Sequence, residues 1–281
     1  MDCIKSIYEQ TDELEFEIIV VDNASTDDSC DVIAKEYPEV VLVKSPDNLG
    51  FGRANNLGME VARGEYIFLL NSDTILINNA VKLFYDYAVL HDVEKIGVLG
   101  TILLDSDHKP THSYGNFITI ANTLFKCIPL MNRFTEGRKT SCLADSQTLD
   151  VDYVTGADMF IPRVVLAEVG AFDPAFFMYC EEVDWQHRMS QQNFKRIIIS
   201  GPQIIHLEGG SAKSTSRSWS YGRMMNIIRS RIIYIKKHNS MLAYIIFRII
   251  YFPLRAISVF TSMTMTPGNK FRIIKLLIKK A

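Results

Sequence analysis

Three short runs of β-branched and apolar residues, EIIVV (17–21), VVLVK (40–44) and EYIFLL (65–70), set the architecture open to this chain. Each ends in a polar loop and then a helical stretch: SCDVIAKEY, RANNLGMEVAR with Gly64 as its stop signal, and NAVKLFYDYAVLH. A further strand, KIGVLGTILL, follows. Strands alternating with helices at this spacing predict an α/β fold with a parallel sheet covered on both faces. At 281 residues, 48% hydrophobic and 22% charged, the chain has the material for a substantial core, as one large domain or two smaller ones.

The five cysteines (Cys3, Cys30, Cys127, Cys142, Cys180) are odd in number and show no CxxC spacing. Neither a disulfide framework nor a zinc ribbon is indicated, and a reducing cytoplasm fits them best. No charged segment followed by an apolar one opens the sequence, so no secretory signal is expected.

Charge is unevenly spread. From Lys195 onward 16 Lys and Arg stand against Glu208 alone, +15, whereas the first 194 residues hold 14 against 31, or −17. A basic end of this kind suits nucleic acid, anionic lipid or a phosphorylated substrate. Nucleic acid is disfavoured, because the charge is interleaved with long aliphatic runs and no reader motif is present. From about Ile232 the chain is apolar with basic punctuation, interrupted for a membrane span by Arg248, Pro253 and Arg255. Residues 241–281 are therefore expected as helices lying on the inner face of the cell membrane, with a helical pair packed on the domain as the alternative. Residues 1–240 are expected to form the main domain, with 1–105 as one half and 106–240 as the other.

Polar residues gather where strands end. Asp22 and Asn23 follow the first strand; Asn71, Ser72 and Asp73 follow the third. Turn chemistry alone favours such residues. A carboxylate at the edge of a buried parallel strand also lies where open α/β sheets bind ligands, and there it can hold a cation. Farther on, Glu181, Glu182 and Asp184 form an acidic knot. On a helix Glu181 and Asp184 share a face, while Glu182 points about 100° away, so the three cannot all face one hydroxyl.

In order, VVDNASTDDS, NLGFGRANNLG, LLNSD, VTGADMFIPR, FDPAFFMYCEEVDW and IIHLEGG resemble the motifs of inverting family-2 glycosyltransferases, the rhamnosyltransferase-like branch above all. The resemblance covers roughly residues 1 to 238. It implies a GT-A fold, here a mostly parallel mixed sheet flanked by helices with a C-terminal helical extension. It also implies transfer of rhamnose or another hexose from a nucleotide diphosphate donor, assisted by Mg²⁺ or Mn²⁺, to a glycan or lipid-linked acceptor in surface polysaccharide synthesis. A non-catalytic relative that binds a nucleotide-sugar or glycan is the alternative.

Carried over residue by residue, Asp22 and Asn23 meet the donor base, with a helix cap as the other reading of Asp22. Asn48, Gly50 and Asn56 wrap the nucleotide, or form an ordinary tight loop. Asp73 is the last acid of the DxD motif and holds the metal; Asn71 stands in that motif's first place, one negative charge fewer. His206 completes the metal site, and an imidazole ligand tilts it toward Mn²⁺. Glu182 is the base that takes the acceptor's proton, with Glu181 and Asp184 as alternatives. Gly156, Ala157 and Asp158 floor the acceptor pocket, Trp185 stacks on a sugar or lies in the core, and Arg229 or Arg231 reaches a diphosphate. The family starts with one more strand, central in its sheet, than this sequence; the recorded start is expected to lie downstream of the true one, and the sheet to lack that strand.

Overall fold

The computed structural model describes residues 1–127, 143–144, 147–207, 217–262 and 265–279, with backbone alone at 217–220 and 279. The chain divides into two compact units. The first takes in residues 1–117, 139–177 and 181–213; the second takes in 118–138, 178–180 and 214–281.

The first unit is α/β. Its elements in chain order are α1 (Asp2–Gln10), β1 (Ile19–Asn23), α2 (Ser29–Glu36), β2 (Val41–Ser45), α3 (Phe51–Val61), β3 (Tyr66–Leu70), β4 (Thr74–Leu76), α4 (Ala80–Leu90), β5 (Ile96–Gly100) and β6 (Tyr114–Gly115). After α5 (Ile120–Phe125), which belongs to the second unit, come β7 (Thr148–Asp150), β8 (Tyr153–Val154), β9 (Asp158–Pro162), α6 (Val164–Val169), α7 (Glu181–Gln191), β10 (Lys195–Ile199) and β11 (Ile204–His206).

The main sheet has the order β3-β9-β5-β10-β7 and is mixed. β5 and β10 run parallel, while β9 inserts antiparallel between β3 and β5. The expected mixed α/β class holds, but the predominance of parallel pairing does not. Among the described residues only β1–β2 and β5–β10 pair in parallel, against five antiparallel ladders. The reason is β9: the strand before α6 returns into the sheet from the second half of the sequence, where it could not be read from the strand–helix alternation. β1 pairs with β2 alone among the described strands, and β3 forms an edge of the five-stranded sheet.

Alternate residues of the central strands feed two apolar layers, as the period-2 geometry of a strand buried on both faces demands. Ile67, Leu69, Met159, Ile161 and Ile198 face Trp185, Met189 and Phe172. Phe160, Leu99, Ile197 and Ile199 face Phe84, Ala88 and Leu76. Phe160 stacks on Tyr66 and Phe84 at centroid distances of 5.2 and 5.6 Å, which ties α4 to the sheet.

The second unit is helical. Besides α5 it contains α8 (Arg217–His238), α9 (Met241–Thr261) and α10 (Pro267–Lys279). Its boundary falls at Ser214 rather than at residue 241, because α8 buries Ile228, Ile232, Tyr234 and Ile235 and packs on α9 and α10. α9 runs unbroken through Pro253, an exposed position where the ring meets solvent rather than a neighbouring helix.

Candidate active site

The loop after β1 is built on asparagine. Asn23 Nδ2 donates to Asn48 Oδ1 at 3.2 Å and to the Gly50 carbonyl at 3.3 Å, while its Oδ1 accepts from Leu49 N at 2.7 Å. Asn48 Oδ1 also accepts from Gly50 N at 3.0 Å. Gly50 is the N-cap of α3 with φ 81°, and Phe51 N donates to the Phe177 carbonyl at 3.0 Å. A Cβ at Gly50 would lie 1.9 Å from that carbonyl oxygen, so no other residue type fits. Asn56 is spent on structure: its amide donates to Phe172 O at 2.9 Å and accepts from Phe172 N at 3.1 Å, locking α3 to the segment before α7.

Asp22 does not cap α2, whose N-cap is Asp28. Its Oδ1 accepts from Ser25 N at 3.1 Å, and hydrogen bonds from Ser25, with help from the Cys30 thiol, hold its carboxyl below the usual aspartate range. It is thus an ionised acceptor beside Asn23 at the mouth of this loop.

β3 ends in a tight turn. Asn71 N donates to Ala157 O at 3.0 Å, and the Asn71 carbonyl accepts from Thr74 N and Thr74 Oγ1 at 3.1 and 2.7 Å. The turn swings Asp73 toward His206, which β11 delivers by pairing with Thr74 of β4. His206 Nε2 lies 3.3 Å from Asp73 Oδ1 and 3.4 Å from Asn71 Nδ2. The two side chains of the closer pair are 16% and 13% exposed. Among the described residues no third His, Cys, Asp or Glu joins them. One carboxylate, one imidazole and one amide suit a cation that takes its remaining oxygens from a ligand, rather than a closed resident site.

The acidic knot opens α7 and divides as helix geometry requires. Asp184 is fully buried and accepts from Arg188 Nε at 3.0 Å; Arg188 also donates to Val169 O and Ala171 O at 2.7 and 2.6 Å. Glu181 shares that inward face and is 3% exposed. Asp184 is thus committed to Arg188 in the interior. Glu182 points the other way, half-buried, with its Cβ 3.9 Å from where a Gly156 side chain would begin. Burial pushes its carboxyl above the ordinary glutamate value, although the N–H groups of Glu182 and Val183 bond to it and pull it down. Gly156 also leaves the space that the Phe51 ring occupies, 3.1 Å from a Cβ there. These contacts join the Asn23–Asn48–Gly50 loop, the Gly156 segment and Glu182 into one region of the first unit.

Of the two readings of Trp185 the core one holds, and two other expected contacts are corrected. Trp185 is fully buried, donates from Nε1 to Gly170 O at 2.7 Å and packs on Phe172 at 4.5 Å, so its ring offers no face to a sugar. Asp158 is fully buried in β9; Oδ2 accepts from Thr101 N at 2.7 Å and Oδ1 has no partner. Burial pushes its carboxyl well above the aspartate range, which makes it an interior group rather than a pocket floor. Ala157 is 4% exposed and contributes its carbonyl to Asn71 rather than a side chain to an acceptor. Arg229 and Arg231 belong to α8 of the helical unit, the first exposed and the second half-buried.

Sequence reasoning missed Gln186. Its amide donates to Val154 O and accepts from Val154 N, both at 2.7 Å, and so fixes α7 against the strand that leads to Gly156. The signal was an uncharged amide on the buried face of an otherwise charged helix. It also missed Arg53, in the first turn of α3, whose Nε is buried without a partner.

The glycosyl transferase family 2 model matches residues 2–143. An N-acetylglucosaminyl-diphospho-decaprenol L-rhamnosyltransferase of Mycobacterium tuberculosis is 24% identical over 219 residues, 71% of this chain and 68% of its own length. Rhamnosyltransferase WbbL of Escherichia coli K12 is 25% identical over 218 residues, 73% and 78% respectively. Among solved structures, GalNAc-T7 with UDP, GalNAc and Mn²⁺ superposes with a TM-score of 0.57 at 15% identity over 99% of this chain. The chain spans about half the length of that protein. The fold is GT-A, and with its family model covering half of the sequence the chain belongs to glycosyl transferase family 2.

Proposed function

We propose that this glycosyltransferase moves rhamnose or another hexose, with inversion, from a nucleotide diphosphate donor to a hydroxyl of a glycan or lipid-linked acceptor at the inner face of the membrane. The observation that carries the reading is Glu182: a half-buried carboxylate at the start of α7, raised in pKa and facing Gly156, in the region that also contains the nucleotide loop. A base works best with a pKa close to the working pH, and burial moves Glu182 in that direction.

Asp22 accepts from the donor base and the Asn23–Asn48–Gly50 loop holds the nucleotide. Asp73 and His206, with Asn71 beside them, would hold a divalent cation, for which GalNAc-T7's Mn²⁺ is the parallel. When bound, the cation offsets charge on the departing diphosphate. Glu182 removes the acceptor's proton as that oxygen forms its bond to the anomeric carbon; the bond to the diphosphate breaks and its electron pair leaves with the diphosphate. Both rhamnosyltransferases' names support a deoxyhexose donor, and that of the Mycobacterium tuberculosis enzyme a lipid-linked acceptor.

A membrane partner is supported by α9, whose Leu242, Ile246, Ile249, Ile257 and Phe260 form one exposed apolar stripe at helical spacing. The helix is long and apolar enough to cross a membrane by length and composition, but its half-buried Arg248 and Arg255 favour lying along the surface.

A second reading, a non-catalytic nucleotide-sugar or glycan binder, draws on Asn71 in the place of an acid and on the β1–β2 pair standing apart from the five-stranded sheet. The deciding experiment measures donor binding and turnover in Glu182→Gln. The transferase reading requires turnover to fall by about 10²–10⁴-fold with donor affinity kept. Turnover unchanged in the variant would remove Glu182 from the mechanism, and no turnover in either protein would favour the binder.

A further inference from the structure

Four cations of the helical unit gather where no carboxylate stands among its described residues. Lys126 closes α5, Arg231 lies on α8, and Arg248 and Arg255 lie two turns apart on α9, against which α5, α8 and α10 all pack. The described residues of this unit contain no Asp or Glu. Arg248 donates through one terminal nitrogen to the Leu277 carbonyl in the last turns of α10. Its Nε and its other terminal nitrogen are buried with no acceptor, and so is the Nε of Arg255. The charges of Arg255, Arg231 and Arg248 all reach Tyr251, which is 3% exposed, and those of Arg255 and Arg231 reach the Cys127 thiol.

A guanidinium nitrogen removed from water with its donor unused is costly, and like charges gathered beside it add to that cost. Packing alone does not call for either, since aliphatic residues would fill the same space at lower cost. Three orphaned N–H positions on two arginines, with a third arginine and a lysine alongside, match an anion with several oxygens that accepts from forked donors.

We propose that Lys126, Arg231, Arg248 and Arg255 form a binding site for a phosphate or diphosphate group, free or carried on a lipid. The site belongs to the helical unit and is independent of the transfer reading. Lys126 keeps an exposed side chain; partial desolvation first and then Arg231 push its ammonium down, and a bound anion would offset the charge of Arg231. The exposed apolar stripe on α9 runs along a helix that bears two of these arginines, so a lipid phosphate is one source, and free pyrophosphate the other.

The test uses the full chain carrying Asp73→Ala, in EDTA, so that the donor site does not respond. Sodium pyrophosphate is titrated by calorimetry, and binding to phosphatidylcholine vesicles is measured with and without phosphatidic acid. Pyrophosphate is expected to bind, with affinity reduced at least about tenfold by Arg255→Gln or Arg231→Gln and unchanged by Lys275→Gln, which alters an exposed cation on α10. Arg255→Lys keeps the charge and is expected to recover part of the affinity, which separates loss of the site from loss of the fold. A response only to phosphatidic acid vesicles, still sensitive to Arg255→Gln, assigns the site to a lipid phosphate. Equal losses in Arg255→Gln and Lys275→Gln would reduce the effect to diffuse surface charge and overturn the proposal. So would a lower melting temperature in Arg255→Gln with pyrophosphate binding intact, which is the mark of a purely structural arginine.

Discussion

Asp73 and His206 approach within 3.3 Å from strands far apart in sequence, and they supply too few ligands to hold a cation alone. Mn²⁺ binding should therefore be weak in the free protein and strengthen when a nucleoside diphosphate is present, as read by Mn²⁺ electron paramagnetic resonance. Asp73→Ala should abolish that strengthening and lower kcat by about 10²–10³, the scale of losing one electrostatic stabiliser. As the proposed base, Glu182 would have to be ionised to act, and burial raises its pKa. The rate should thus fall as pH drops through a value above the ordinary glutamate range, and Glu182→Gln should lose that acidic limb. Asp158 is raised in the same direction with a different consequence. Because the native state prefers its neutral form, its contribution to stability is full below the unfolded aspartate pKa and is lost as pH rises through the raised native value. Asp158→Asn should accordingly raise stability at neutral pH, each tenfold excess of native over unfolded proton affinity being worth about 1.4 kcal/mol, with the gain vanishing in acid. Urea melts of both proteins across pH would read it.

Loops and helix starts do the positioning. Tyr179 and Cys180 both have φ 69°, a left-handed pair without glycine directly before the first turn of α7. Such backbone is costly in non-glycine residues and clusters where a site fixes its geometry, here one residue from the carboxylates. Gly50 is the corresponding point for α3. Gly50→Ala would drive a methyl into the Phe177 carbonyl at an unfavourable φ, and should cost about 2 kcal/mol or more by urea denaturation while weakening nucleotide binding. Much of this was legible in the sequence. The runs at 17–21, 40–44 and 65–70 became β1, β2 and β3 within two residues, and helical spacing separated Glu182 from Glu181 and Asp184 correctly. Motif order brought Asp73 and His206 together, a pairing that spacing alone could not give. What failed had one cause: side chains whose role is set by distant backbone. Asn56 serves Phe172, and β9 finds β3 across nearly a hundred residues. No local pattern encodes such partners.

The whole molecule divides its chemistry as it divides its charge. The acidic first 194 residues contribute most of the α/β unit, whereas the basic remainder supplies three long helices and, on α9, the densest run of exposed aliphatic side chains among the described residues. In water such a surface is a liability; against lipid it is an anchor. Ile249 is 67% exposed and Phe260 64%, and both lie on the α9 stripe, so neither contributes much to the packing of its own unit. Replacing either with aspartate should leave the melting temperature nearly unchanged. Inserting one such side chain into lipid is worth roughly 1.5–3 kcal/mol, so each substitution should weaken binding to anionic vesicles by about tenfold or more in a flotation assay. Turnover on a water-soluble acceptor should persist, because the substitutions touch neither Asp73 nor Glu182. Vesicle binding that survives Ile249→Asp and Phe260→Asp together, yet collapses in high salt, would assign the attachment to the basic residues alone; loss in the double variant at low salt would assign it to the apolar stripe, with charge drawing the protein in and α9 holding it there.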